Sequence, residues 1–173
     1  MELVGARTTL VPVTPSHVAD LRQILATPQV SARWGDEAAS DAWPYDDSSA
    51  VRFAILFDGV VRGMVQYGEE DDPMYRHASI DVFVDPAVHG RGVGRDAVAT
   101  LAAHLVDDRG QHRIVIDPAA DNVPAIRCYA AVGFRPVGVM RRYERDPVTD
   151  EWHDGLLMDL LAEELVRRPC IGT

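Results

Sequence analysis

"VDPAVHGRGVGRDAV", residues 84–98, decides how this chain is read. Gly90, Gly92 and Gly94 alternate with Arg91 and Val93, and Arg95 follows. A β-branched run precedes the glycines and an apolar helical pattern follows them. Glycines at this spacing let backbone N–H groups converge on an anion, and a helix N-terminus adds favourable dipole. Two common nucleotide loops fail the test. A Walker loop needs Lys and then Ser or Thr after its last glycine, whereas Arg95 and Asp96 stand there. A dinucleotide fingerprint belongs on the first strand of a parallel unit, whereas this loop comes midway along the chain after a hairpin.

Working outward, "ASIDVFVDP" (78–86) alternates, with Ala78, Ile80, Val82 and Val84 on one face and Ser79, Asp81 and Phe83 on the other. "VRFAILF" and "VVRGMVQYG" flank Asp58-Gly59, a hairpin signal. "GEEDDPMYRH" (68–77) reads as a polar loop. After the glycines, "RDAVATLAAHLVDDRG" (95–110) carries a helical stripe of Val98, Leu101, Ala102, Leu105 and Val106. "HRIVIDP" (112–118) predicts a strand, and "NVPAIRCYAAVGF" (122–134) a helix capped by Asn122 and ended by Gly133. "PVGVMRRYER" and "WHDGLLMDLLAEEL" predict a second hairpin around "DPVTD". At the start, "TTLVPV" (8–13) predicts a strand and "TPSHVADLRQILATP" (14–28) a helix that Pro28 ends. The order predicts one α/β domain over residues 1–173.

Composition narrows the function. The 173 residues suffice for a sizeable core, and 47% are hydrophobic. The net charge of −10 argues against nucleic acid, whose phosphates need a basic surface. No apolar run approaches the roughly 20 residues of a membrane helix. "MELVGARTTLVPV" lacks the layout of a signal peptide, so a cytoplasmic protein is expected. Cys128 and Cys170 fit no redox or metal spacing, and the six histidines show no ligand pattern, so no metal is expected.

The glycine loop and its downstream segment together resemble the GCN5-related N-acetyltransferases. That family carries Q/R-x-x-G-x-G/A after a central strand; here the loop reads His89-Gly90-Arg91-Gly92-Val93-Gly94. The second likeness is "DPAADNVPAIRCYAAVGF", with Asn122 at a helix start, then Tyr129, then Gly133-Phe134. The resemblance implies a mixed central sheet flanked by helices, with acetyl-CoA as cosubstrate. It implies that the loop cradles the coenzyme A pyrophosphate, and that Val82, Phe83 and Val84 pair with the pantetheine arm. His89 stands where Gln or Arg is usual, which leaves Arg91 and Arg95 to supply charge. Asn122 joins the cofactor set.

Acetyl transfer needs a thioester held beside an amine, a proton acceptor, an oxyanion donor and a proton for the leaving thiolate. Asp81 precedes the implied thioester site and is the candidate to bind and deprotonate the amine; the alternative is a surface-facing strand Asp. Tyr129 is the family's usual proton donor; the alternative is core packing. Asp117 ends a strand before Pro118, as a second amine or hydroxyl ligand or as a turn former. Cys128 is read as structural.

"IVIDPAADNVPAIRCYAAVGF" (114–134), "SARWGDE" (31–37) and Ile80-Asp81 are similar to aminoglycoside 6′-N-acetyltransferases. "WGDEAASDAWPYDD" (34–47) holds five acids and no basic residue, and "EEDD" (69–72) adds four. Trp34, Asp46, Asp47, Glu69 and Glu70 are therefore expected at the acceptor, with rings on sugar faces and carboxylates on ammonium groups. Trp43 is expected to stack likewise. The expected partner is a cationic amine, foremost an aminoglycoside, and the expected state a monomer or homodimer; the alternatives are a protein N-terminus or lysine or another small amine as acceptor, or a CoA-binding sensor without turnover.

Overall fold

Alternation along β5 (His77–Val84) organises the computed structural model, which describes residues 1–35, 40–46, 49–146 and 149–167. Ala78 and Ile80 are fully buried on one face, with Val82 and Val84 packed beside them. Phe83 is buried on the other, in a second cluster with Leu21, Ile24, Leu25, Val30, Trp43 and Met64. Ser79 and Asp81, on the same face as Phe83, are exposed, so one face of β5 is covered along its length and the other only near its end.

The sheet has eight strands: β1 (Leu3–Val4), β2 (Thr9–Pro12), β3 (Val51–Phe57), β4 (Val60–Glu70), β5, β6 (Arg113–Ile116), β7 (Arg135–Arg145) and β8 (Trp152–Leu161). Their spatial order is β1-β2-β3-β4-β5-β6-β8-β7. All neighbours are antiparallel except β5 and β6, which run parallel. A parallel step needs a crossover, supplied by α3 (Val93–Asp107). The fold is the expected single-domain α/β arrangement, a mixed sheet flanked by helices.

Hydrophobic spacing explains α3. Val93, Ala97, Val98, Leu101, Ala102 and Leu105 are buried against the sheet. Each such aliphatic side chain stabilises by about 1.5–3 kcal/mol when fully covered, alanines by less. Asp96, also buried, accepts from the Arg7 and Thr8 backbone N–H groups at 2.8 and 2.9 Å and from Thr8 Oγ1 at 2.9 Å. This carboxylate in the first turn of α3 holds the β1–β2 turn against the helix.

Three local readings change. Residues 14–28 form a short 3-10 turn (Pro15–His17) and α1 (Val18–Leu25), and Pro28 begins α2 (Pro28–Trp34) instead of only ending its predecessor. Proline at N1 has no N–H to leave unbonded, so it starts a helix as readily as it stops one. The predicted polar loop 68–77 shrinks, because β4 runs to Glu70 and β5 begins at His77. β1 was not predicted; two residues carry no periodicity, and only pairing with β2 defines it.

The sheet opens where β5 and β6 part. Their ladder has two rungs, Ala78–Ile114 and Ser79–Val115. β5 continues to Val84 with β4 beside it throughout, ending at the Gly63–Val84 pair. The other edge of β5, from Ile80 onward, has no rung to β6. Gly63 makes the close approach possible, since a Cβ there would lie 2.2 Å from the Phe83 carbonyl oxygen. α4 (Val123–Ala130) follows β6 and closes the far side of the gap.

Candidate active site

The gap between β5 and β6 is a cleft of about 760 Å³. At one end lie Gly90 and Gly92, with φ of +74° and +79°, in the left-handed region that favours glycine. Gly92 is the N-cap of α3. The first-turn N–H groups of a helix have no intrahelical acceptor, so the backbone at Val93, Gly94 and Arg95 offers donors at this mouth. With the helix dipole, they favour a phosphate.

The basic side chains of the loop are engaged within the protein. His89 Nε2 donates to the Val84 carbonyl at 3.0 Å and so ties the loop to the end of β5. Arg91 lies with its guanidinium carbon 4.5 Å from the Phe57 ring centroid and Nη2 3.7 Å from Asp58, and it does not line the cleft. Arg95 lines the cleft but donates to the Ala131 carbonyl at 3.1 Å.

Carboxylates occupy the other end. Asp81 takes a 3.3 Å hydrogen bond from Gln66 Nε2, and Arg52 Nε holds the Gln66 carbonyl oxygen at 3.0 Å. Asp81 lines the cleft and is exposed there. Its surroundings push its pKa up, chiefly through desolvation; Gln66 opposes this and the charge of Asp117 adds to it. Asp117, just past β6, accepts from the Tyr143 hydroxyl at 2.5 Å. That bond, with lesser help from burial, raises the Tyr143 pKa to about 12. Glu144 is also shifted up, by burial and then by Asp117. Three carboxyl groups thus line one space, and the charge of Asp117 favours the protonated forms of Asp81 and Glu144.

Tyr129 projects from α4 into this cleft and is 8% exposed. Phe134 packs edge-on to its ring at 6.3 Å. Burial, then the nearby Cys128, Asp81 and Asp117, hold its phenol well above the ordinary range, so it is a neutral O–H donor at pH 7. Cys128 lies beside it with its thiol raised to about 11 by desolvation. It is protonated at neutral pH and unsuited to nucleophilic attack. Asn122 caps α4, its side chain accepting from the Ala125 N–H at 3.3 Å.

The cleft therefore brings together Asp81, Val82, Phe83, Val84, His89, Gly90, Gly92, Val93, Gly94, Arg95, Asp117, Asn122, Tyr129 and Trp34. Trp34 forms a wall, edge-on to Phe83 at 4.9 Å. Others stand apart. Glu69 is held by Arg109 at 2.6 Å and Gln111 at 2.7 Å, and Arg109 lowers its pKa, so it serves an ion pair outside the cleft. Glu70 accepts from the Asp72 N–H at 2.9 Å in the β4–β5 turn, and exposed Asp46 also lies off the cleft. Asp47 lies outside the described residues. Trp43 is 3% exposed inside the second core cluster and presents no ring for stacking.

Sequence reasoning passed over Gln66, Arg33, Tyr143 and Glu144, all of which line the cleft. Arg33 on α2 bonds Asp121 at 2.6 Å, joining α2 to the loop before α4; the pair is exposed and worth at most about 1 kcal/mol. Tyr143 and Glu144 sit at a register shift in the β7–β8 ladder, where Arg142 adopts φ +50°. Tyr143 had one signal in the sequence, a tyrosine within the charged run 141–146. Among the described residues no group of side chains is arranged to hold a metal ion.

Residues 18–134 match the profile of the Acetyltransferase (GNAT) family, and the chain belongs to that family. Among curated relatives, N-alpha-acetyltransferase RimI of Mycobacterium tuberculosis is 36% identical over 42% of this chain and 44% of its own. A mycothiol acetyltransferase of Rhodococcus erythropolis is 32% identical over 64% of this chain and 38% of its own. The chain thus spans less than half the length of these relatives. Mycobacterium smegmatis RimJ, solved with CoA-disulfide, superposes with a TM-score of 0.83 at 25% identity, covering 96% of this chain and 90% of that one. AAC(6')-Ib, solved with paromomycin and acetyl-CoA, gives 0.75 at 22% identity over 95% and 99%, a likeness of fold.

Proposed function

We propose that this chain transfers an acetyl group from acetyl-CoA to an amine of a cationic acceptor. One observation carries the reading: a phosphate-accepting loop and a cluster of carboxylates face each other across the unladdered edge of β5. The fit to coenzyme A rests on this chain's own groups. The helix N-terminus at Gly92–Arg95 suits the pyrophosphate, and the open edge at Val82–Val84 suits an extended amide-bearing arm.

In this reading the β5 backbone aligns the thioester and donates to its oxygen. Asp81 and Asp117 draw the ammonium group to the carboxylate end. Asp81 takes the proton from the ammonium, directly or through water, and the freed lone pair forms the new C–N bond. The C–S bond breaks, Tyr129 delivers its proton to the departing sulfur, and the second proton of the attacking nitrogen restores the phenol as the amide forms. Raised Asp81 and neutral Tyr129 are the protonation states that base and acid require.

The acceptor proposed first is an aminoglycoside. Three clustered carboxyl groups suit a ligand with several ammonium groups, and Trp34 lines the same wall. The second reading is a protein N-terminus, supported by the likeness to RimI. The distinguishing experiment follows thiol release from acetyl-CoA with a panel of aminoglycosides and of free-N-terminus peptides. Turnover on the sugars supports the first reading; turnover on peptides alone moves the chain to the second.

A further inference from the structure

Arg7, which like Arg91 stands just outside the cleft lining, flanks the glycine loop although it lies 85 residues from Gly92 in sequence and outside the matched family span of 18–134. A Cβ on Gly92 would meet Arg7 Cδ and Nε, each at 3.8 Å. The arginine stem therefore runs alongside the N-cap of α3. Its place is built. Arg7 and Thr8 both donate their backbone N–H groups to the buried Asp96 carboxylate, which is in the first turn of the same helix. Thr8, 1% exposed, adds its hydroxyl to that anchor.

The Arg7 side chain is exposed, and among the described residues its guanidinium has no ion-pair or hydrogen-bond partner. The other loop cations are engaged. Arg91 lies over Phe57 towards Asp58, Arg95 holds the end of α4, and the His89 ring bonds Val84. A phosphate at the helix N-terminus would thus find Arg7 as its unengaged guanidinium. Such a group matches phosphate oxygens in a bidentate fork.

We propose that Arg7, delivered by the β1–β2 turn, binds the pyrophosphate of coenzyme A at the Gly90–Gly94 loop, in place of the loop's own arginines. The proposal rests on the acetyl-CoA reading above. It identifies a binding residue contributed by the N-terminal hairpin, and it gives the buried Asp96 anchor a purpose: holding the β1–β2 turn at the loop.

The test is calorimetric titration of CoA and dephospho-CoA into wild type, Arg7→Ala, Arg7→Lys and Arg91→Ala. Arg7→Ala keeps the backbone bond to Asp96, so the fold survives, which an unchanged Tm verifies. It should weaken both ligands by about ten-fold, the usual scale of a lost charged hydrogen bond. Arg7→Lys should fall between, and Arg91→Ala should cost less than Arg7→Ala. Unchanged affinity in Arg7→Ala, or a greater loss in Arg91→Ala, overturns the proposal. A loss with CoA but none with dephospho-CoA also overturns it, because Arg7 would then hold the ribose phosphate. If wild type binds neither ligand, the acetyl-CoA reading itself has failed, a result distinct from the other three.

Discussion

Tyr143 reaches from the terminal hairpin to Asp117 at the end of β6, and its hydroxyl donates to Oδ2 at 2.5 Å. The bond ties the last-placed strand of the sheet to the carboxylate end of the cleft. It fixes one acid, while among the described residues Asp81, on the facing strand, is held by Gln66 alone. Replacing Tyr143 by Phe frees Asp117 without removing a charge. KM for a polycationic acceptor should rise by about three- to ten-fold, while CoA affinity stays constant. Steady-state kinetics with both substrates varied separate the two effects. A rise in KM for acetyl-CoA instead would place Tyr143 on the wrong side of the site.

Asp81→Asn removes the proposed base and keeps the shape. kcat/KM should fall on the order of a hundred-fold, with CoA binding retained. The acid limb of the wild-type pH profile should lie above the ordinary aspartate value of 3.8, because desolvation raises this pKa and the base must be ionised. The same shift has a stability consequence of opposite sign. A carboxyl whose folded pKa is raised contributes stability below its unfolded pKa and loses it as pH rises through the folded value. At pH 7 wild type therefore carries an unfavourable ionised Asp81, and Asp81→Asn should have the higher Tm. Equal activity in the two proteins removes Asp81 from the chemistry.

Tyr129→Phe distinguishes packing from proton delivery. The ring keeps its contacts in the core, so Tm should hardly change. kcat should fall by about ten- to a hundred-fold, since general-acid catalysis is worth 10²–10⁴ and water can replace part of it. Full kcat would assign Tyr129 to the core alone.

Gly92→Val should weaken CoA by about ten-fold or more, because φ of +79° is strained for any β-branched residue and the loop must give up its shape. Calorimetry with CoA reads the loss directly. Wild-type affinity would show that the loop conformation does not matter to binding.

What the sequence made legible follows from range. The α3 stripe, the Asn122 cap and the Asp58-Gly59 turn are set within a few residues, and each appears where its pattern predicts. Asp81 was singled out as an acid inside an alternating strand, Asp117 as the end of one, and Tyr129 by the motif of its helix. Their convergence depends on the parting of β5 and β6, which no local pattern encodes. Tyr143 and Glu144 enter through the pairing of β7 with β8 and a register shift, and Arg7 through its anchor to Asp96, 89 residues away. Glu69 misled because charge in a segment does not reveal its partner, here Arg109. Trp43 misled because an aromatic beside acids looks exposed until the second core cluster is seen to cover it.

The central claim is amine acetylation at the carboxylate end of the cleft. Its most direct measurement is thiol release from acetyl-CoA with wild type and Asp81→Asn, against aminoglycosides, peptides and neutral amines at two ionic strengths. Carboxylate recognition predicts turnover on polycationic amines, a KM for them that rises with salt because a Debye length of about 10 Å at 0.1 M screens the attraction, and loss of that turnover in Asp81→Asn. Tight CoA binding with no thiol release on any amine would contradict the claim and leave a CoA-binding sensor.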